Sequence, residues 1–168
     1  MNTGQTLITI AALALVVLTV LNFSKSSLNT QDNLIYNKEY ILTTTAAQSL
    51  LEEISNKAFD EKIINGAIIT NASNFTSALA PESGESYPNF DDIDDFNNFS
   101  KKDSIPYLGV FNFKVNINYV NDDLVYSASN TYHKAVNIKV TNKNLKNPFT
   151  GIVDTISIST VFSQWKML

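Results

Sequence analysis

The chain has 168 residues, a formal net charge of −4 and no cysteine, and charged residues make up 17% of it. This length suits one domain with a modest core beside a shorter segment. The acidic balance argues against nucleic-acid binding, which needs a basic surface, and the lack of cysteine excludes disulfides, thiolate metal sites and cysteine nucleophiles. With one histidine, a histidine-based triad or metal site lacks its parts. We therefore expect neither an enzyme nor a cofactor, apart from the metal considered below.

An apolar segment at residues 7–23 is the most informative feature of the chain. It contains no charged residue, glycine or proline and approaches the roughly 20 residues that cross a bilayer as a helix. A cleaved signal peptide would have a basic start and a small-residue cleavage site, and a buried helix of a soluble protein would keep a polar stripe. We predict a transmembrane or filament-core helix that makes its contacts through Leu7, Ile8, Ile10, Leu13, Leu15, Val16, Val17, Leu18, Val20, Leu21 and Phe23.

The following segment, residues 24–59, continues the helix with a different pattern. It contains no proline or glycine, the residues that most often end a helix. Apolar residues recur in it at helical spacings, as on one face of an amphipathic helix; they are Leu28, Leu34, Ile35, Ile41, Leu42, Ala46, Leu50, Leu51, Ile54 and Ala58. We predict one helix from near Gln5 to near Ala58, either continuous or loosened around Ser26–Asp32. Its second half is expected to pack on its own domain.

Residues 60–106 have the composition of an irregular region, and they contain an acidic cluster. The cluster consists of Asp91, Asp92, Asp94 and Asp95. Closely spaced carboxylates are ligands that calcium prefers, although the glycine and the distal glutamate of an EF-hand loop are absent. The alternative is a solvated acidic turn that Phe90, Ile93 and Phe96 anchor on the domain.

The last third of the chain has the two-residue alternation of half-buried strands. The clearest strand carries apolar residues at every second position: Phe111, Phe113, Val115, Ile117 and Tyr119. Two more strands are predicted at residues 132–141 and 155–162, with a loop at 142–151 between them. Such neighbours form an antiparallel meander with one face to cover. We therefore predict an α+β fold, in which the N-terminal helix packs on a small antiparallel sheet within a domain formed by residues 60–168.

The N-terminal residues Gly4-Gln5-Thr6-Leu7-Ile8 resemble the start of type IV pilins and of the pseudopilins of secretion systems. Members of that family carry a glycine at the prepilin peptidase site, followed by a Thr-Leu-Ile-like start of the hydrophobic helix. Residues 1–6 are accordingly similar to a short leader, with the site between the glycine and the glutamine. The helix exit at Ala46–Ile54, the cluster Asp91–Phe96 and the strand Ser159–Phe162 resemble minor pilins of the pilus-modification and MSHA-biogenesis type.

The resemblance implies a structural subunit, major or minor, of a type IV pilus-like or pseudopilus filament. Its partners would be like subunits or other pilins, contacted through the N-terminal helix. The resemblance also implies residence in the inner membrane before assembly, an exported C-terminal domain and an extracellular filament that serves adhesion or secretion. Thr9 stands where most family members have a glutamate. The alternative is a single-pass membrane-anchored protein whose exported domain is an assembly or adhesion module that does not polymerise.

Overall fold

The computed structural model describes residues 2–165 and consists of a long helix packed on a four-stranded sheet. The helices are α1 (Thr3–Ser55) and the short α2 (Glu61–Ile64), with single 3₁₀ turns at Ala72–Asn74 and Asp94–Phe96. The strands are β1 (Ser100–Ile105), β2 (Gly109–Tyr119), β3 (His133–Lys146) and β4 (Val153–Ser163). They lie in the order β1-β2-β3-β4, and each neighbouring pair is antiparallel. The predicted α+β fold, a long N-terminal helix on an antiparallel sheet, is confirmed.

Helix α1 is continuous over 53 residues, which corresponds to a length of about 80 Å. It passes through Ser26–Asp32 without a break, so the continuous alternative is the correct one. In that polar stretch the Thr30 hydroxyl donates to the Ser26 carbonyl at 3.0 Å, and the side chain therefore bonds within the helix. The helix ends shortly before Ala58 because the Ala58 amide donates instead to the Asp91 carbonyl at 3.1 Å.

The sheet covers only the C-terminal third of α1. The buried residues of the helix recur every three or four positions and form one face; they are Glu39, Thr43, Ala47, Leu50 and Ile54. This face packs across β3 and β4. Four apolar residues that were expected to share this packing are instead 58–64% exposed: Leu28, Leu34, Ile35 and Ile41. Leu28, Leu34 and Ile35 precede Tyr36, near which the domain first meets the helix; the Tyr36 hydroxyl donates to Asp154 Oδ2 on β4 at 2.8 Å. Ile41 lies about 200° around the helix from the buried Glu39 and Thr43, so it faces away from the sheet.

The hydrophobic core lies between the inner face of the sheet, the end of α1 and the segment 56–99. The alternation predicted for β2 is confirmed, because its buried side chains are Phe111, Phe113, Val115, Ile117 and Tyr119. On β3, Ile138 stands opposite Val115 and Val136 stands opposite Ile117. The irregular segment adds buried side chains of its own, namely Phe59, Phe75, Phe90, Ile93 and Phe96.

Two parts of the sheet differ from the sequence prediction. Strand β1, with the polar sequence SKKDSI, lacks the apolar alternation of a half-buried strand because it is an edge strand, and its lysines discourage pairing with other chains. Strand β3 continues through Asn142, where a loop was predicted. The Asn142 side chain is buried, and its Nδ2 donates to Glu39 Oε2 on α1 and to the Leu108 carbonyl, both at 3.1 Å. These bonds hold the strand against the helix.

Candidate functional site

The N-terminal half of α1 is the first candidate site. The large apolar side chains from Leu7 to Phe23 are 55–77% exposed. An 18-residue window of the helix has a mean hydropathy of 2.4 and contains no buried residue. The Thr9 and Thr19 hydroxyls donate to carbonyls of the same helix at 2.9 and 2.8 Å, so they cost little in apolar surroundings. By length and composition this helix can cross a membrane.

Gly4 and Gln5, the residues of the predicted processing site, lie exposed in the first turn of α1. The Gln5 amide donates to the Asn2 carbonyl at 2.9 Å, and the space around the Gly4 Cα is open. Both residues are accessible, and cleavage between them stays a prediction.

The exposed apolar surface of α1 continues beyond the membrane-length segment. We refer to Leu28, Leu34, Ile35 and Ile41 as the uncovered apolar residues. They form two pairs with heptad spacing, 28 with 35 and 34 with 41, the spacing at which helices contact one another along a seam. At about 100° per residue the two pairs lie roughly 120° apart around the helix axis. Helix α1 therefore presents apolar surface on two sides, as contact with more than one neighbouring helix would require.

A buried ion cluster in the globular domain is the second feature, and it consists of Asp60, Asp94 and Lys134. Lys134 lies on the inner face of β3, opposite Tyr119 of β2, and its side chain is fully buried. Its Nζ lies 2.6 Å from Asp94 Oδ1 and 3.4 Å from Asp60 Oδ2, and it donates to the Phe59 carbonyl at 2.5 Å. The lysine thus joins the sheet to both ends of the irregular segment.

Asp60 and Asp94 have structural partners within this cluster. Asp60 caps α2, because its Oδ1 accepts from the Lys62 amide at 3.1 Å. Its Oδ2 accepts from the amide of Thr76, in the segment that follows α2, at 2.9 Å. Burial raises the pKa of Asp94 to about 7, although the Lys134 ammonium opposes the shift. Asp94 was predicted to be a calcium ligand, but the cation next to its carboxylate is the ammonium group of Lys134.

The three remaining predicted ligands lie in one tight turn. Asp95 Oδ2 accepts from the Asp91 amide at 3.0 Å and from the Asp92 amide at 3.3 Å, while Asp92 Oδ1 accepts from the Asp95 amide at 3.2 Å. Asp92 and Asp95 are buried, whereas Asp91 is exposed. Burial and then the Asp95 charge raise the pKa of Asp92 to about 6. The turn is anchored by Phe90, Ile93 and Phe96, which are buried as expected, but most of its carboxylates are buried rather than solvated.

Three glutamates that sequence reasoning missed converge on this turn. One carboxylate oxygen from each of Glu85, Asp91 and Asp95 lies within 4.8 Å of the other two, and the same holds for Glu61, Glu82 and Glu85. We call these five residues the acidic pocket. Burial, and then the charges of Asp92 and Asp95, raise the pKa of Glu82 to about 7. The pKa of Glu85 is raised by burial and then by the charge of Asp95.

The sequence carried a signal for only one of these missed groups. Lys134 keeps the two-residue spacing of Val136, Ile138 and Val140, which places it on the inner face of β3. Glu82 and Glu85 follow no pattern that connects them to the aspartates of the turn. Comparison with known proteins adds no family to these observations: no protein-family model, no curated protein and no solved structure matches the chain.

Proposed function

We propose that the chain is a structural subunit of a filament of the type IV pilus or pseudopilus kind, assembled through α1. In this proposal the protein is not an enzyme. Its helix lies in the inner membrane with the globular domain exported, and it then joins like subunits or other pilins in an extracellular filament. The observation that carries the proposal is the position of the uncovered apolar residues along α1.

These residues lie too far along the helix for lipid to cover all of them. Residues 7–23 alone extend about 26 Å, close to the hydrocarbon thickness of about 30 Å. Leu34 and Ile41 lie roughly 16 and 27 Å past Phe23 along the axis, and the globular domain leaves both exposed. A single copy in a membrane would therefore keep them in water.

Helices of neighbouring copies provide the cover that lipid and the globular domain do not. Burial of a leucine or isoleucine side chain is worth about 1.5–3 kcal/mol, and each copy has four uncovered apolar residues in addition to the apolar segment itself. Because these residues face two sides of the helix, a bundle of several copies covers them better than a pair does. This supports a polymer over an isolated anchored protein.

A single-pass membrane-anchored protein that does not polymerise is the alternative, and Thr9 favours it. In the family that the chain resembles, a glutamate at this position neutralises the N-terminal amine of a neighbouring subunit. Here the Thr9 hydroxyl is engaged by the carbonyl of Thr6 in its own helix, and it carries no charge. Under this alternative α1 would stay in lipid, and the exported domain would act as an assembly or adhesion module.

The mass of the N-terminal peptide from native protein, measured separately in membrane and sheared-filament fractions, tests the proposal. We expect the protein in the sheared fraction, with a peptide that begins at Gln5 because the bond after Gly4 has been cut. A Met1 start in the sheared fraction would keep the filament and remove the processing step. Protein confined to the membrane fraction, with its Met1 start, would support the anchored alternative instead.

A further inference from the structure

The acidic pocket brings together carboxylates from three segments that are distant in sequence. Glu61 lies in α2, Glu82 and Glu85 lie in the loop before β1, and Asp91 and Asp95 belong to the tight turn. Within each of its two triads the ligand oxygens lie within 4.8 Å of one another, and Glu85 belongs to both triads. Separations below this bound allow the oxygens of a triad to surround one cation, because calcium–oxygen distances are about 2.3–2.6 Å.

Buried oxygens of the pocket have no hydrogen-bond partner, and this observation is independent of the clustering itself. Asp95 is 1% exposed; its Oδ2 holds the turn, while its Oδ1 is buried without a donor. Glu61 Oε2 and Glu82 Oε2 are likewise buried without a donor. Each of the three segments thus supplies one such oxygen. A buried, unpaired carboxylate oxygen costs free energy that a bound cation would recover.

No protein cation neutralises the pocket in the described part of the chain. Across residues 2–165, the ion pairs within 4.0 Å join Lys101 to Asp103, His133 to Asp122, and Lys134 to the aspartates of the buried ion cluster. The nearby Lys57 and Lys62 ammonium groups donate to the carbonyls of Phe90 and Asn74 instead. The two triads therefore have no counter-ion among these residues.

We propose that the acidic pocket binds a calcium ion, with Glu85, Asp91 and Asp95 as its central ligands and with Glu61 and Glu82 beside them. Calcium accepts six to eight oxygen ligands in flexible geometry, whereas magnesium needs a near-octahedral site and keeps several waters. A triad of carboxylates from a loop and a turn, adjoined through Glu85 by a second triad, suits the larger ion. Exposed Asp91 leaves an entry path from solvent. The bound ion would fasten α2, the loop and the turn to one another, independently of whether the protein forms filaments.

Thermal unfolding of the full chain in detergent micelles, with EGTA or with millimolar CaCl₂, tests this site. We expect calcium to raise the midpoint by roughly 5–11 °C if its concentration reaches roughly 100 times the dissociation constant. The variant Glu85→Gln, Asp91→Asn should lose this rise. Because the amides remove like charge, the variant without calcium should be at least as stable as the unmodified chain without calcium, which shows that it still folds.

The control is Asp103→Asn, which removes an exposed carboxylate on β1 and should keep the full calcium response. The site would be refuted if the unmodified chain showed no calcium-dependent rise, or if the double variant showed the same rise. An equal rise with magnesium at the same concentration would overturn the assignment to calcium.

Discussion

Replacing Lys134 with methionine is expected to lower the free energy of unfolding by about 3–5 kcal/mol, because removing one partner of a buried ion pair strands the other charge. In residues 2–165, Lys134 is the only cationic side chain within 4.0 Å of either Asp94 or Asp60. Methionine keeps much of the side-chain volume and its contact with the aromatic rings of Phe59 and Tyr119, which lie 4.4 and 5.3 Å from the lysine Nζ. The decrease in the free energy of unfolding therefore measures the removal of the charge and not the creation of a cavity.

Urea unfolding of the full chain in micelles with EGTA measures this effect. Lys139→Met is the matched control, since Lys139 lies on the exposed face of the same strand and should change stability by less than about 0.5 kcal/mol. Adding Asp94→Asn to Lys134→Met should restore part of the loss, because it removes a stranded carboxylate. If Lys134→Met unfolded at the same urea concentration as the unmodified chain, the buried ion cluster would have no role in stability.

The loss in Lys134→Met should also depend on pH. The Lys134 ammonium opposes the rise in the pKa of Asp94, so its removal raises that pKa further above the value in the unfolded chain. A carboxyl group whose pKa is raised on folding destabilises the fold as pH increases through that range. The difference in unfolding free energy between Lys134→Met and the unmodified chain should therefore be smaller at pH 5 than at pH 8.

Replacing Leu15 with aspartate is expected to abolish assembly while the globular domain stays folded. Leu15 lies near the middle of the apolar segment and is 64% exposed in the single chain, so its surroundings come from lipid or from other helices. An unpaired aspartate inside an apolar helix bundle costs several kcal/mol, and a loss of about 2.7 kcal/mol would already weaken association roughly a hundredfold. Immunoblots of the sheared fraction would measure the loss, and Leu15→Ile, which keeps the apolar character, should assemble normally.

The globular domain provides the second readout for Leu15→Asp. The membrane-length part of α1 contains no buried residue, and the Tyr36 hydroxyl, which donates to Asp154 on β4, lies 13 residues past Phe23. Protease resistance of the domain should therefore match that of the unmodified chain. Normal amounts of Leu15→Asp in sheared filaments would contradict assembly through this helix. Loss of the protease-resistant domain would show that the substitution acted on folding instead.

How far the sequence predicts this structure depends on whether a pattern is local. The helix and the inner face of β2 follow from periodicity, which the chain carries within a few residues of each position. Strand β1 could not be recognised because an edge strand needs no apolar face. Leu28 and Leu34 have the pattern of buried residues, but their burial depends on where the sheet meets the helix, and it meets the helix near Tyr36. Ile41 lies beyond Tyr36 but on the side of the helix opposite the buried Glu39 and Thr43.

The same reasoning applies to the candidate sites. The acidic cluster could be recognised in the sequence because its aspartates are adjacent in the chain. Its proximity to Glu82 and Glu85 arises only in the folded structure, where the loop that carries the glutamates lies against the turn. Lys134 could have been recognised from its alternation with Val136, yet its pairing with Asp60 and Asp94 joins residues far apart in the chain. Contacts of this kind depend on the tertiary structure, and no regular spacing in the sequence indicates them.

Cross-linking through the uncovered apolar residues would test most directly whether neighbouring copies cover them. Because the chain has no cysteine, the variant Ile35→Cys, Ile41→Cys introduces the only thiols, one on each of the two uncovered sides of the helix, and mild oxidation of intact cells can join only copies that lie side by side. We expect a ladder of dimers, trimers and larger species in the sheared fraction, whereas Ile41→Cys alone should stop at dimers. The ladder should disappear when Leu15→Asp is added. Monomers alone, found in the membrane fraction and never in a sheared one, would contradict the filament and leave the anchored protein as the explanation.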